Sequence, residues 1–369
     1  MNPTIDHDER MRVRALGFHT RRPGAHPKPP EDWRAERTAD RPAVADRVHG
    51  LELGAPVAWV RPCVSRRPVA LAGLVDGRHI VLKWPDEDLD RTGSREAEIL
   101  DLLHAAPLAP ATRLALPSPV PLDAPGRVRA YDAVHPAVSL RDLLGAGVLG
   151  PGHIDALATA LAGLHAAPWP AEVFDDPDMR MTVPAPRTTL LTVEEYSRGV
   201  GAEFDVWIRA MQRLSDCFAE LHRDWDARSL VHFDLRDDNV LYGSGGRVRI
   251  IDWEFAAVGD PRYDVGYLVA QFVVHALRSR PGTRPALPAE ALGMADRFTA
   301  AYFTHTPGGR DAVRTVVRYA GLVLLQHAGA RLELFGSLGR TGHLCLLLAE
   351  GLLRHPETLA DRLSTGCAR

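Results

Sequence analysis

The chain has 369 residues, 44 basic against 47 acidic side chains, a formal net charge of −3 and 46% hydrophobic residues. That length fits one large domain or two ordinary ones with a substantial core, and the charge balance disfavours a basic nucleic-acid protein. Cys63, Cys217, Cys345 and Cys367 form no CxxC or Cys/His cluster, so neither a zinc site nor a disulfide framework is indicated, and a reduced, cytoplasmic chain is expected. Acids interrupt the opening MNPTIDHDERMRVR, and no run of about 18 apolar residues occurs, so neither secretion nor a membrane span is expected. Among the 44 basic residues only Lys28 and Lys83 are lysines. Lys28 lies in the Pro-rich RRPGAHPKPP, which leaves Lys83 to be explained.

Residues 1–50 are rich in Pro, Arg, Asp and Glu without sustained apolar periodicity, and read as an extension, either loosely packed or an arm for a partner. GAPVAWV, PVALAGLV and RHIVLKW then read as strands, with Asp76-Gly77 as a hairpin turn. In the last strand Ile80, Leu82 and Trp84 share one face, and Val81 and Lys83 the other. REAEILDLLHAA reads as a helix and RVRAYDAV as a further strand. Beyond these the chain is mainly helical. Ile154, Leu157, Leu161 and Leu164 form one stripe, and Trp207, Met211, Leu214, Phe218 and Leu221 another. Helices are also expected over 263–279, 288–305, 311–335 and 341–354.

A β-region, VHFDLRDDNVLYGSGGRVRIIDWE, interrupts the helices at 231–254. Folding it about Gly243-Ser244-Gly245-Gly246 pairs Tyr242 with Arg247 and Asn239 with Ile250, and places Asp252 roughly opposite Asp237. Two carboxylates and an amide carbonyl then share one end of the hairpin, with Asp234 just upstream. Oxygen ligands without thiolates or a second histidine suit a hard cation such as Mg²⁺, which keeps water and binds substrate phosphates. A further acid that is not a ligand could accept a hydroxyl proton. Solvated loop acids are the simpler reading of any one Asp, but order, spacing and hairpin agree for the whole set.

The run LVHFDLRDDNVLYGSGGRVRIIDWEFAAVGDPRYDVGYL resembles the aminoglycoside phosphotransferase and choline-kinase family, relatives of the protein kinases. The resemblance spans 51 to about 350. It implies an α+β, two-lobed protein-kinase-like fold, with a small mainly antiparallel N-lobe plus one helix over 51–135 and a mainly helical C-lobe over 136–369. It implies Mg²⁺ and ATP as cofactors, Asp234 as the catalytic aspartate, and Asn239 and Asp252 as the metal ligands. His232 resembles the histidine that buttresses the catalytic loop, and Asp264 the aspartate that ties this loop to the next helix. Lys83 would hold the α- and β-phosphates with a glutamate on the following helix. Glu96 and Glu98 compete for that part, and Glu96 is favoured because it shares the inward stripe of Leu100 and Leu103. Ser65 is the best match to the phosphate-contacting serine. Three departures stand out: Phe233 where glycine is commoner, no glycine in Arg61–Leu71, and Arg236 in place of a smaller or histidine side chain, able to touch the γ-phosphate or to sit at the surface.

The acceptor is less legible. Residues 171–240 hold 15 acids against 8 arginines, which suits a cation, whereas 281–369 hold 10 arginines against 7 acids. GDPRYDVGYLVAQFVV also resembles a subgroup that phosphorylates Ser or Thr of natural-product precursor peptides before a partner lyase eliminates the phosphate. That acceptor is the one preferred here. The alternatives are a small-molecule kinase acting on an aminoglycoside, another antibiotic or an amino alcohol, and a catalytically silent kinase-like binding subunit. Nucleic acid and membrane are not expected as partners.

Overall fold

The computed structural model describes residues 46–48, 50–63, 68–84, 90–122, 128–184, 201–279 and 289–363. These residues form two compact units, one from Lys28–Pro168 with Asp237–Ala256, the other from Trp169–Arg236 with Ala257–Arg369.

In the first unit, β1 (Val57–Pro62), β2 (Val69–Leu74), β3 (His79–Lys83) and β4 (Arg129–Asp132) form an antiparallel sheet in sequence order. Alternation along β3 buries Ile80, Leu82 and the following Trp84 with Ala70, Ala72 and Leu74, as the pattern required. Between β3 and β4 come α1 (Asp90–Ala105) and α2 (Pro110–Leu114). The unit continues with β5 (Ala137–Ser139), α3 (Leu140–Ala146) and α4 (Pro151–His165). Ser139 caps α3 reciprocally with Asp142, and the expected stripe of α4 is buried.

The hairpin of β7 (Val240–Gly243) and β8 (Val248–Ile250) closes this unit and pairs with β5. Its register differs by one residue from the expectation. Tyr242 faces Val248 and Val240 faces Ile250, because Gly243 N–H donates to the Arg247 carbonyl at 2.9 Å across a turn of only three residues. Gly245 and Gly246 adopt φ of 71° and 73° there, which permits the tighter turn.

The second unit begins with α5 (Ala171–Asp175), then α6 (Gly201–Arg213) and α7 (Ser215–Arg223). The stripe from Trp207 to Leu221 is buried as expected but spans two helices, parted at Leu214. Leu214 N–H still donates to Ala210 and Met211 carbonyls, which keeps the two stripes in line. A ribbon of β6 (Ser229–Val231) and β9 (Ala257–Gly259) precedes α8 (Arg262–Ser279), α9 (Ala289–His305), α10 (Arg310–Phe335), α11 (Gly339–Arg354) and the short α12 (Glu357–Ala360). Helices α8 and α10 approach closely at Gly266, where a Cβ would lie 2.8 Å from the Val316 carbonyl oxygen. Among the described residues no helix is long and apolar enough to cross a membrane.

Candidate active site

In the first unit, β3 places Lys83 on the face opposite Ile80 and Leu82. Its ammonium donates to Glu96 Oε1 and Oε2 at 2.7 and 2.9 Å and to Asp252 Oδ1 at 3.3 Å. Glu96 is 3% exposed, on the inward stripe where helix periodicity put it, and Glu98 is exposed. Burial alone would lower the Lys83 pKa, but the two carboxylates outweigh it and hold the ammonium above its ordinary range. Glu96 Oε1 also accepts the backbone N–H of Trp253 at 3.4 Å, and the neighbouring Arg95 donates to the Ala256 carbonyl at 3.2 Å. Two successive residues of α1 therefore grip the 253–256 turn.

Asp252 sits at the end of β8 with φ 69° and ψ 59°, a left-handed conformation that aspartate tolerates better than most side chains. Asn239 is buried just before β7, and its backbone carbonyl accepts Ile251 N–H at 2.9 Å. A carboxylate and an amide flanking the two strands at one end of a hairpin fit Mg²⁺, a hard cation that takes a few protein oxygens and completes its shell with water and phosphate. Asp237, which the hairpin expectation grouped with them, is engaged by Arg141. Its carboxylate accepts Arg141 Nε and Nη2 at 3.0 and 2.6 Å, and its carbonyl accepts Arg141 N–H. Among the described residues no group of three His, Cys, Asp or Glu side chains could hold a metal. Ser65 lies outside the described residues.

In the second unit, the segment after β6 carries His232, Phe233 and Asp234. Asp264, fully buried in the first turn of α8, accepts the backbone N–H groups of His232 and Phe233 at 2.8 and 3.0 Å. His232 is fully buried, and its Nδ1 accepts Asp234 N–H at 3.2 Å. Phe233 adopts φ 66°, a conformation costly for a bulky residue and free for glycine. Its ring is buried beside Trp225, and Gly259 leaves room for it, since a Cβ there would meet Phe233 at 2.6 Å. The unusual residue thus keeps the backbone that a glycine would supply.

Asp234 is partly exposed. Its Oδ1 accepts the hydroxyl of Tyr267 at 3.2 Å, and its Oδ2 pairs with Arg236 Nε at 3.1 Å. Sequence reasoning missed Tyr267, although it stands three residues after Asp264 and so on the same side of α8. It also missed Arg141, whose surroundings carry no signal beyond the capping box of its helix.

Residues 65–312 match the phosphotransferase enzyme family. Among solved structures, the chain resembles a spectinomycin phosphotransferase in complex with ADP and spectinomycin, at 14% identity and a TM-score of 0.54, covering 87% of this chain and 98% of that one. It also resembles a putative fructosamine-3-kinase from Thermobifida fusca, at 20% identity and a TM-score of 0.51, covering 85% and 99%. The choline kinase LicA from Streptococcus pneumoniae follows at 15% identity and a TM-score of 0.50, covering 87% and 99%. These likenesses establish the protein-kinase-like fold. With its small antiparallel sheet, its mainly helical remainder and a family match over 65–312, the chain belongs to the phosphotransferase enzyme family.

Proposed function

We propose that the protein transfers the γ-phosphoryl group of Mg·ATP to a hydroxyl group of a small molecule. The observation that carries this reading is Lys83, held at 2.7 Å by Glu96 and at 3.3 Å by Asp252. A compact ammonium so oriented suits the α- and β-phosphates, where a rigid guanidinium would not. Asn239 and Asp252 are the proposed metal ligands, and Mg²⁺ bound there would neutralise charge on the phosphates. Asp234 is proposed to orient the acceptor hydroxyl and accept its proton, on a loop that His232 and Asp264 fix through the backbone. Ser65 is proposed, from sequence alone, as a phosphate contact.

A small-molecule acceptor is supported by the relatives of like fold, named for choline, spectinomycin and fructosamine. The precursor-peptide reading, with its lyase and docking arm, rests on the resemblance of GDPRYDVGYLVAQFVV and on an extension whose residues 1–45 lie outside the described ones. The silent-subunit reading loses one of its two motives, because Phe233 leaves the loop backbone in a glycine-like conformation. Steady-state ADP release by the parent and by Asp234→Asn, with Mg·ATP and a panel of hydroxyl acceptors, tests the proposal. The parent is expected to exceed the variant by about a hundredfold or more; equal rates refute an enzymatic role for Asp234.

A further inference from the structure

The two oxygens of Asp234 are held in different ways. Oδ1 accepts the hydroxyl of Tyr267, a part-buried side chain on a helix, whereas Oδ2 pairs with Arg236, whose side chain is 47% exposed. Tyr267 is carried by α8. Three residues before it on α8, Asp264 binds the backbone N–H groups of His232 and Phe233, so one helical side grips the loop at its backbone and at its carboxylate. Arg236, in contrast, follows Asp234 in a tight turn, with Arg236 N–H donating to the Asp234 carbonyl at 2.8 Å, and its long side chain is about half exposed to solvent.

From this asymmetry we infer that Tyr267 is a positioning residue: it locks Oδ1 of Asp234, fixes the plane of the carboxylate, and leaves Oδ2 as the oxygen that meets the acceptor hydroxyl once Arg236 moves aside. The inference rests on the proposed role of Asp234 and goes beyond it by naming the oxygen and the residue that selects it. Burial first, and then the Asp234 carboxylate, push the Tyr267 phenol well above its ordinary value, so it acts as a donor throughout and takes no proton itself. The proton leaving the acceptor hydroxyl therefore goes to Oδ2, while the hydroxyl oxygen forms the new bond to phosphorus and the bond from phosphorus to the leaving ADP oxygen breaks.

The test uses the full chain with Mg·ATP and water as the acceptor, so no substrate need be known. Tyr267→Phe removes one hydroxyl and is expected to lower kcat for ATP hydrolysis about tenfold or more while KM for ATP stays within twofold. Tyr263→Phe, on the same helix, loses a hydroxyl bonded to Gln326 at 3.2 Å instead and should keep the parent kcat. Rates are compared at matched folded fraction from thermal melts, so that lost stability is not read as lost positioning. An unchanged kcat in Tyr267→Phe beside an inactive Asp234→Asn overturns the positioning role alone. So does a rise in KM at constant kcat, or an equal loss in Tyr263→Phe. Full activity of Asp234→Asn instead removes the underlying reading.

Discussion

Lys83 and Asp252 are 169 residues apart in the chain, yet the ammonium of one stands 3.3 Å from the carboxylate of the other. The proposed metal ligand is thus already engaged with a cation. Two effects of Lys83→Met follow. It should lower kcat/KM for ATP about a hundredfold, and it should strengthen binding of Mn²⁺ alone severalfold, because Asp252 loses its competing partner. Titration of the nucleotide-free protein with Mn²⁺, read by electron paramagnetic resonance, checks the second effect. Lys83 is held above its ordinary value of 10.5, so its stabilisation is complete below that pH and disappears only as pH rises through the higher folded value. No loss from this group is expected between about pH 6 and 9.

Tyr131 lies opposite Val81 in the β3–β4 pair, and its buried hydroxyl has no hydrogen-bond partner among the described residues. Removing that hydroxyl should help. Tyr131→Phe is expected to stabilise the fold by about 1 kcal/mol in urea denaturation at neutral pH. Burial, and after it the Glu96 carboxylate, push this phenol from 10.0 up to about 12. A raised folded value means that protonated Tyr131 stabilises fully below pH 10 and that this is lost as pH climbs to about 12. The stability advantage of the Phe variant should therefore widen across that interval.

Phe233→Gly removes the cost of a positive φ and should nevertheless destabilise. Relief of the φ 66° backbone returns about 1–2 kcal/mol, whereas loss of a buried phenyl ring costs about 3–5 kcal/mol. A net loss of about 2 kcal/mol is expected from the unfolding midpoint. A gain would mean that the ring contributes little against Trp225 and Gly259.

Arg236, 3.1 Å from Asp234, offsets the negative charge that would attract a cationic acceptor. Arg236→Gln should shift the ratio of choline-stimulated to glycerol-stimulated ADP release towards choline by about threefold or more. If KM for ATP rises instead, with the ratio unchanged, Arg236 serves the nucleotide.

Much of the fold was legible because its signals are local. Alternation in HIVLK set the faces of β3, and a 3.6-residue period distinguished Glu96 from Glu98. The hairpin was recognised but misregistered by one residue, since a turn of glycines fits three or four residues and composition does not decide between them. The contacts that depend on distant segments were harder. Arg141 meets Asp237 across 96 residues and Tyr267 meets Asp234 across 33, through tertiary packing that no local period records. Phe233 looked like a defect because its cost is local, while the space that Gly259 provides for it lies elsewhere.

The grip of α1 on the 253–256 turn gives this enzyme a remote handle. Arg95 and Glu96 are adjacent on the helix, so they point in different directions, and only one rotation of α1 satisfies both contacts. A binder or an engineered cross-link that turned α1 by a fraction of a turn would loosen Lys83 and the Asp252 segment together. Control of catalysis could thus be installed on the outer surface of a helix, leaving every reacting group unaltered.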